Sequence, residues 1–259
     1  MILTIDIGNT NIVVGCIDDE KTYFIERLST VKTKTELEYA VDIKTVLEIY
    51  KIDRKQIRGG IISSVVPQIT NIMREAAEKI IRRPVKVVGP GLKTGLNILM
   101  DNPAQLGSDL VADAVAGLEE YPVPLIIFDM GTATTVSVID SRKCYIGGMI
   151  LPGVMVSLNA LAANAAQLQG IGLELPRKTI GKNTVDCMKS GIIHGNAACI
   201  DGLILRIEEE LGQKCTVVAT GGLAKSIVPH CKRKVILDDD LLLKGCLLYT
   251  SPSPRDRTR

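Results

Sequence analysis

A chain of 259 residues with 46% hydrophobic and 23% charged residues is long enough for one large packed domain or two small ones, and too apolar to be disordered. The formal net charge of +2 vanishes once the last five residues are set aside, because Arg255, Arg257 and Arg259 stand there against Asp256; charge therefore points to no nucleic acid. Seven scattered cysteines (16, 144, 187, 199, 215, 231 and 246) form no CxxC pair and only two histidines accompany them, which argues against a zinc site and a disulfide scaffold and reads as free thiols in a reducing compartment. With 3% aromatics and no Trp, the core is built from Ile, Val, Leu and Ala. No apolar window is long enough to span a bilayer, and the N-terminus lacks a secretory pattern, so the expectation is a soluble cytoplasmic protein without membrane contact.

In chain order, 1–7 reads as a buried strand, Gly8-Asn9-Thr10 as a turn, 12–17 as a returning strand and 22–27 as a third, an antiparallel meander. A helix follows over 34–50, with Leu37, Ala40, Val41, Ile43, Val46 and Leu47 as its apolar face. Then come a strand over 59–66 stopped by Pro67, a helix over 69–81, a strand over 85–88 ended by Gly89-Pro90-Gly91, and a helix over 107–119. The opening pattern then recurs: a strand over 124–129, a turn at Gly131-Thr132-Ala133-Thr134, and strands over 135–140 and 144–150. Helices over 154–168 and 182–211, a strand over 217–219, a short helix, a strand over 235–237 and a last helix from about 239 complete the reading.

One unit therefore appears twice, which means duplicated α/β domains rather than a solenoid. The boundary is set where Glu119-Glu120-Tyr121-Pro122-Val123-Pro124 breaks the pattern, giving domains 1–118 and 119–248. The stretch from about Cys246 looks foreign to the rest, and 249–259 is read as a non-native or disordered tail.

The repeated turns carry the chemistry. Asp6 ends a strand, Gly8 lets backbone approach a ligand, and Asn9 and Thr10 add polar groups; such a hairpin can wrap phosphate oxygens while Asp6 approaches a hydrated Mg²⁺. Asp129 and Gly131 repeat the pattern, with hydroxyls from Thr132, Thr134 and Thr135. Gly221 and Gly222, after a short strand, let backbone pass an adenine or ribose. There is no GxxxxGK[ST], so the chain is not a P-loop enzyme.

The segments Asp6-Ile7-Gly8-Asn9-Thr10, Asp129-Met130-Gly131-Thr132-Ala133-Thr134-Thr135, Gly147-Gly148, Pro152-Gly153, Ile180-Gly181-Lys182-Asn183-Thr184-Val185 and Ala219-Thr220-Gly221-Gly222 resemble the motif series of type III pantothenate kinases over roughly 1–245. The resemblance implies a duplicated ribonuclease H-like (actin-like ATPase) fold, two mixed-sheet domains with a nucleotide cleft between them, and a homodimer. It implies phosphorylation of pantothenate by ATP, the first step towards coenzyme A, with Mg²⁺ and a monovalent cation, K⁺ or NH₄⁺. Carried over by position, Asp6, Ile7, Gly8, Asn9, Thr10, Asn11, Ile12 and Val13 form the first phosphate loop, Thr132 also meets ATP, and Asp129 is the monovalent-cation ligand. Thr184 lies on the substrate side, and Asp109 matches the general base that takes the proton of the attacking hydroxyl.

The family's substrate segment usually reads Gly-Ala-Asp-Arg; here it is Gly107-Ser108-Asp109-Leu110. Replacing Ala by Ser is a small change, but Leu110 cannot pair with a carboxylate or amide as Arg does. Lys182 is a candidate substitute. The alternatives are a kinase of the same superfamily acting on another small substrate, and a nucleotide-binding regulatory homologue without turnover. Asp113, one helical turn from Asp109, either tunes the base or is solvated. His194 and His230 are read as packing or surface residues without a partner, and Asp238-Asp239-Asp240 as the cap of the last helix.

Overall fold

The computed structural model describes residues 1–88, 95–165 and 170–249. The strands are β1 (Ile2–Ile7), β2 (Asn11–Ile17), β3 (Thr22–Ser29), β4 (Gly60–Ser64), β5 (Val85–Val87), β6 (Asn97–Ile98), β7 (Leu125–Met130), β8 (Ala133–Ile139), β9 (Cys144–Pro152), β10 (Thr216–Thr220) and β11 (Ile236–Leu237). The helices are α1 (Glu36–Ile49), α2 (Pro67–Ile81), α3 (Ser108–Glu120), α4 (Val154–Asn164), α5 (Thr184–Leu211), α6 (Ala224–Ile227) and α7 (Leu241–Leu248). They form two compact units: Met1–Leu96 with Asn102–Ala116 and the C-terminal segment from Asp240, and Gly117–Asp239 with Asn97–Asp101.

The first unit holds a five-stranded sheet in the order β3-β2-β1-β4-β5. β1, β2 and β3 form the expected antiparallel meander, and β4 and β5 run parallel to β1. The second unit has a six-stranded sheet in the order β11-β10-β7-β8-β9-β6. It repeats the plan: β7-β8-β9 is the meander and β10 runs parallel to β7 as β4 does to β1. Even the ladder irregularities match, at Cys16/Ile17 in the first meander and Val138/Ile139 in the second. Each sheet buries a core of Ile, Val, Leu, Ala and Met against its helices.

Local chemistry sets the helix ends. Thr35 and Glu38 make a reciprocal capping box at the start of α1. Pro67 occupies the first turn of α2, where its missing N–H costs nothing, so the residue that stops β4 also starts the next helix. Asn183 caps α5 by accepting from Asp186 N–H, and Gly212 ends that helix in the left-handed region.

Several expectations are corrected. The buried face of α1 is Tyr39, Ala40, Ile43, Val46 and Leu47, while Leu37 and Val41 are 63% and 54% exposed. Tyr39 is fully buried beside Ala40 and Ile43, and its hydroxyl donates to the Val31 carbonyl at 2.7 Å. The two-residue β6, too short to show periodicity, pairs with β9 and draws 97–101 into the second unit. α7, grouped by sequence with the second half, packs in the first unit against β1, β2 and β4. Cys246 and Tyr249 are buried there, so the segment from 246 to 249 is part of the fold; 250–259 lies outside the described residues, as do 89–94 and 166–169. Asp240 precedes α7 without a side-chain capping bond. Its triplet is engaged otherwise: Asp238 accepts from the Tyr121 hydroxyl at 2.7 Å, Asp239 pairs with Lys225, and Asp240 takes the Thr22 hydroxyl and Lys244. His194 and His230, read as unpartnered, stack edge to face with centroids 5.5 Å apart.

Candidate active site

In the first unit the site begins at the C-terminal ends of β1 and β4, the edge where ligands bind in sheets with parallel neighbours. Asp6 lies beside Val13 on β2 and beside Ser63 on β4. Gly8 N–H donates to the Asn11 carbonyl at 3.0 Å, which tightens the turn, and the Thr30 hydroxyl donates to the Gly8 carbonyl at 2.7 Å, which fixes its outer side. Asn9, Thr10 and Asn11 are left exposed, whereas Ile7 and Ile12 are fully buried; those two can serve a ligand only through their backbone. The turn therefore presents polar groups on an apolar base, the arrangement a phosphate-wrapping hairpin needs.

Asp109 stands in the first turn of α3. Its Oδ1 accepts the Leu110 N–H at 2.9 Å, and burial pushes its carboxyl above the usual carboxylate range against the pull of the backbone donors. Gly107 leaves the space that this carboxylate fills: a Cβ there would come within 2.3 Å of Asp109 Oδ1. Ser108 ties the helix start to β4. Its hydroxyl is 3.2 Å from Ser63 Oγ, accepts the Ser64 N–H at 3.2 Å and donates to the Ser64 carbonyl at 3.3 Å. Because Asp6 and Ile7 pair in register with Ser63 and Ser64, the carboxylate and the first turn are fixed to adjacent strands of one sheet.

Asp113 is buried rather than solvated. Full burial, with the nearby charges of Asp6 and then Asp113, holds the Cys246 thiol well above its ordinary range, so that thiol is an inert packing group. Leu110 is half-buried on α3.

In the second unit Asp129 sits at the same position of its sheet as Asp6, opposite Thr135 on β8 and Thr220 on β10. Gly221, with φ +91°, passes so close that a Cβ would lie 2.5 Å from Asp129 Oδ1 and 2.6 Å from Met130 N. Gly153 covers the turn from the other side, since a Cβ there would come within 2.1 Å of the Thr132 carbonyl. The buried hydroxyls of Thr134 and Thr135 have no hydrogen-bond partner in the structure, while Thr132 and Gly222 are exposed. Thr135, registered opposite Asp129, shares its face of the sheet, and a carboxylate beside an unsatisfied hydroxyl offers hard oxygen donors that suit K⁺ or Mg²⁺ better than a soft metal. Thr184 and Lys182 are exposed at the start of α5.

So Asp6, Gly8, Asn9, Thr10, Gly107, Ser108 and Asp109 share one sheet end of the first unit, and Asp129, Thr132 and Gly221 share the corresponding end of the second. Sequence reasoning missed Ser63 and Ser64. Their signal was a polar pair closing the apolar run of β4.

Two meanders, each with an Asp-x-Gly turn between its first two strands and followed by a parallel strand, define the fold of the actin-like ATPase and sugar-kinase class. Solved structures agree on the fold. A putative Baf family transcriptional activator from Campylobacter jejuni superposes with TM-score 0.59 at 18% identity, over 98% of this chain and 100% of that one. (R)-2-hydroxyglutaryl-CoA dehydratase component A from Acidaminococcus fermentans gives 0.53 at 15%, over 95% and 94%. A putative N-acetylglucosamine kinase from Porphyromonas gingivalis gives 0.51 at 13%, over 96% and 98%. The family model for type III pantothenate kinase matches residues 2–206. Type III pantothenate kinases of Bacillus cytotoxicus and an Exiguobacterium species are each 44% identical to this chain over 96% of its length, and over 95% and 97% of theirs. The chain belongs to the type III pantothenate kinase family.

Proposed function

We propose that this chain phosphorylates the primary hydroxyl of pantothenate with ATP through Asp109. Family membership makes the reaction the ATP-dependent entry step of coenzyme A synthesis. The observation that carries the residue assignment is the half-buried Asp109 carboxylate, on the helix whose Ser108 binds the strand that pairs with Asp6. Asp109 takes the hydroxyl proton as the substrate oxygen bonds to the γ-phosphorus and the bond to the β-phosphate oxygen breaks, releasing ADP. The backbone of the first turn, from Asp6 through Gly8, Asn9, Thr10 and Asn11 to Val13, and Thr132 with Gly221 and Gly222 contact ATP. Asp6, half-buried at its strand end, would hold Mg²⁺ through water, and the ion would supply charge neutralisation at the phosphates. Asp129, with the unsatisfied hydroxyl of Thr135 opposite it, is the monovalent-cation group. Gly107 and Thr184 belong to the pantothenate side.

Exposed apolar residues at the end of β9 and on α4, Ile150 at 79% with Met155, Val156 and Leu161, support a homodimer, which light scattering would test. No described helix is long and apolar enough to cross a membrane. An ADP-release assay with ATP and Mg²⁺ tests the function, with and without pantothenate and in K⁺ against Na⁺. Turnover that needs both pantothenate and K⁺ is expected; turnover with another small alcohol alone would instead support a different substrate. That second reading rests on Leu110, whose half-buried apolar side chain stands where the family usually has Arg. Leu110→Arg is expected to lower KM for pantothenate several-fold with little change in kcat.

A further inference from the structure

The base is held at the start of a helix, and a helix start is free to slide unless something anchors it. At the end of β4 two neighbouring serines divide this task. The Ser64 hydroxyl serves α2: it accepts the Val66 N–H at 3.1 Å and lies 2.7 Å from Thr70 Oγ1. The fully buried Ser63 turns its hydroxyl towards α3 instead, where it meets Ser108 Oγ at 3.2 Å. Ser108 also engages both backbone groups of Ser64, so one hydroxyl makes three contacts with the same strand end. The residue that follows is Asp109.

We infer that Ser108 is a positioning residue for the reaction: its hydroxyl latches α3 to β4 and so sets the distance between the Asp109 carboxylate and the first turn. The proposal rests on the reading of Asp109 as the base. Among the groups it bridges, only a side-chain hydroxyl can reach Ser63 and the Ser64 backbone together; an alanine leaves the buried Ser63 hydroxyl and the Ser64 N–H without that partner. The helix start is then free to shift, and a shift of about 1 Å in a reacting group can cost up to about a hundredfold in rate. Substrate contacts made elsewhere are untouched, so the loss falls on kcat rather than KM.

A second consequence follows for proton transfer. Burial is the main influence on the Asp109 carboxyl, and a loosened helix start admits water to it, which lowers its affinity for a proton. Asp113 on α3, Asp6 on β1 and Cys246 on α7 are titratable groups of the same unit, and the three hydroxyl contacts of Ser108 run to Ser63 and Ser64.

The test compares wild type, Ser108→Ala, Ser108→Thr, Ser63→Ala and Asp109→Asn for kcat, both KM values, the pH profile of kcat and Tm. Expected for Ser108→Ala are a fall in kcat of about tenfold, KM values within about twofold and an acid limb moved to lower pH. Ser108→Thr, which keeps the hydroxyl, is expected to recover most of kcat, and Ser63→Ala to show a smaller loss of the same kind. Unchanged kcat in Ser108→Ala, or a loss that Ser108→Thr does not recover, overturns the latch. If Asp109→Asn is inactive while Ser108→Ala matches wild type, only the latch falls; if Asp109→Asn turns over normally, the base assignment falls first.

Discussion

A carboxylate that must accept a proton in the transition state works against its surroundings when those surroundings are dry. Asp109 shows both sides of this conflict: burial raises its pKa while the Leu110 N–H favours the ionised form. Its folded-state pKa lies above the unfolded value, so the folded state binds the proton more tightly and the charge destabilises the fold at neutral pH. Replacing Asp109 by Asn removes the charge and the base together. Turnover is expected to drop by at least about a hundredfold while Tm stays level or rises, measured by steady-state kinetics and thermal denaturation. A Tm that falls along with activity would mark Asp109 as structural. The neighbouring glycine is constrained by the same carboxylate. Gly107→Ala places a methyl 2.3 Å from Asp109 Oδ1, and the flexible end of the Asp side chain is what moves. That variant is expected to keep its fold by circular dichroism and lose kcat by about tenfold or more, with ATP affinity unchanged.

At the scale of elements, the sequence displayed whatever depends on short-range pattern. Apolar runs joined by tight turns marked both meanders, and the acid-Gly turns marked both site edges. It displayed Ala40, Ile43, Val46 and Leu47 on the buried face of α1 and missed Tyr39, whose hydroxyl donates to the Val31 carbonyl. Nor did it display the weight of Ser108, which looked like a minor change until Ser63, 45 residues away, was found opposite it. Long-range polar contacts of this kind leave no periodic signal. The clearest case is Glu208, near the end of α5. It accepts two bonds from Arg233, at 2.6 and 2.9 Å, one from Lys214 at 2.7 Å and one from the Cys215 N–H at 3.1 Å, joining the helix end to the approach to β10 and to the segment before β11. The Arg233 guanidinium is the main reason its carboxyl is held at about 2, below an ordinary 4.5. A lowered folded-state pKa adds stability that is full above the unfolded value and lost as pH falls through the folded one. Glu208→Gln is therefore expected to cost ~2–4 kcal/mol at neutral pH, by denaturant titration. The gap to wild type should close between pH 4.5 and about 2. A gap that stays constant down to pH 2 would assign the cost to packing rather than charge.

For the whole molecule, the duplication was legible because both halves repeat one strand-turn-strand pattern, yet the chain does not respect the halves it suggests. α7 returns to the first unit, and the fit that admits it involves residues far apart in sequence. Gly245 lies against the backbone of Ala112, where an added Cβ would meet the carbonyl oxygen at 2.1 Å. Leu243 lies over Gly15, where a Cβ would meet its Cδ2 at 2.2 Å. Both glycines are there for lack of space, which composition does not reveal. Ala112 is on α3, one turn after Asp109, so α7 supports the helix that carries the base. Gly245→Val forces backbone away from backbone, which no rotamer change relieves, and is expected to destabilise the first unit by ~2–3 kcal/mol. Ending the chain at Asp239 goes further, because it uncovers the sheet face of Thr4, Gly15 and the buried Ile61, opposite the one packed on α1 and α2. Hydrogen exchange on the shortened protein should show β1, β2 and β4 losing protection while β7 and β10 keep theirs. Equal protection of both sheets would mean that α7 only rests on the first unit and that its burial contributes little to holding the fold.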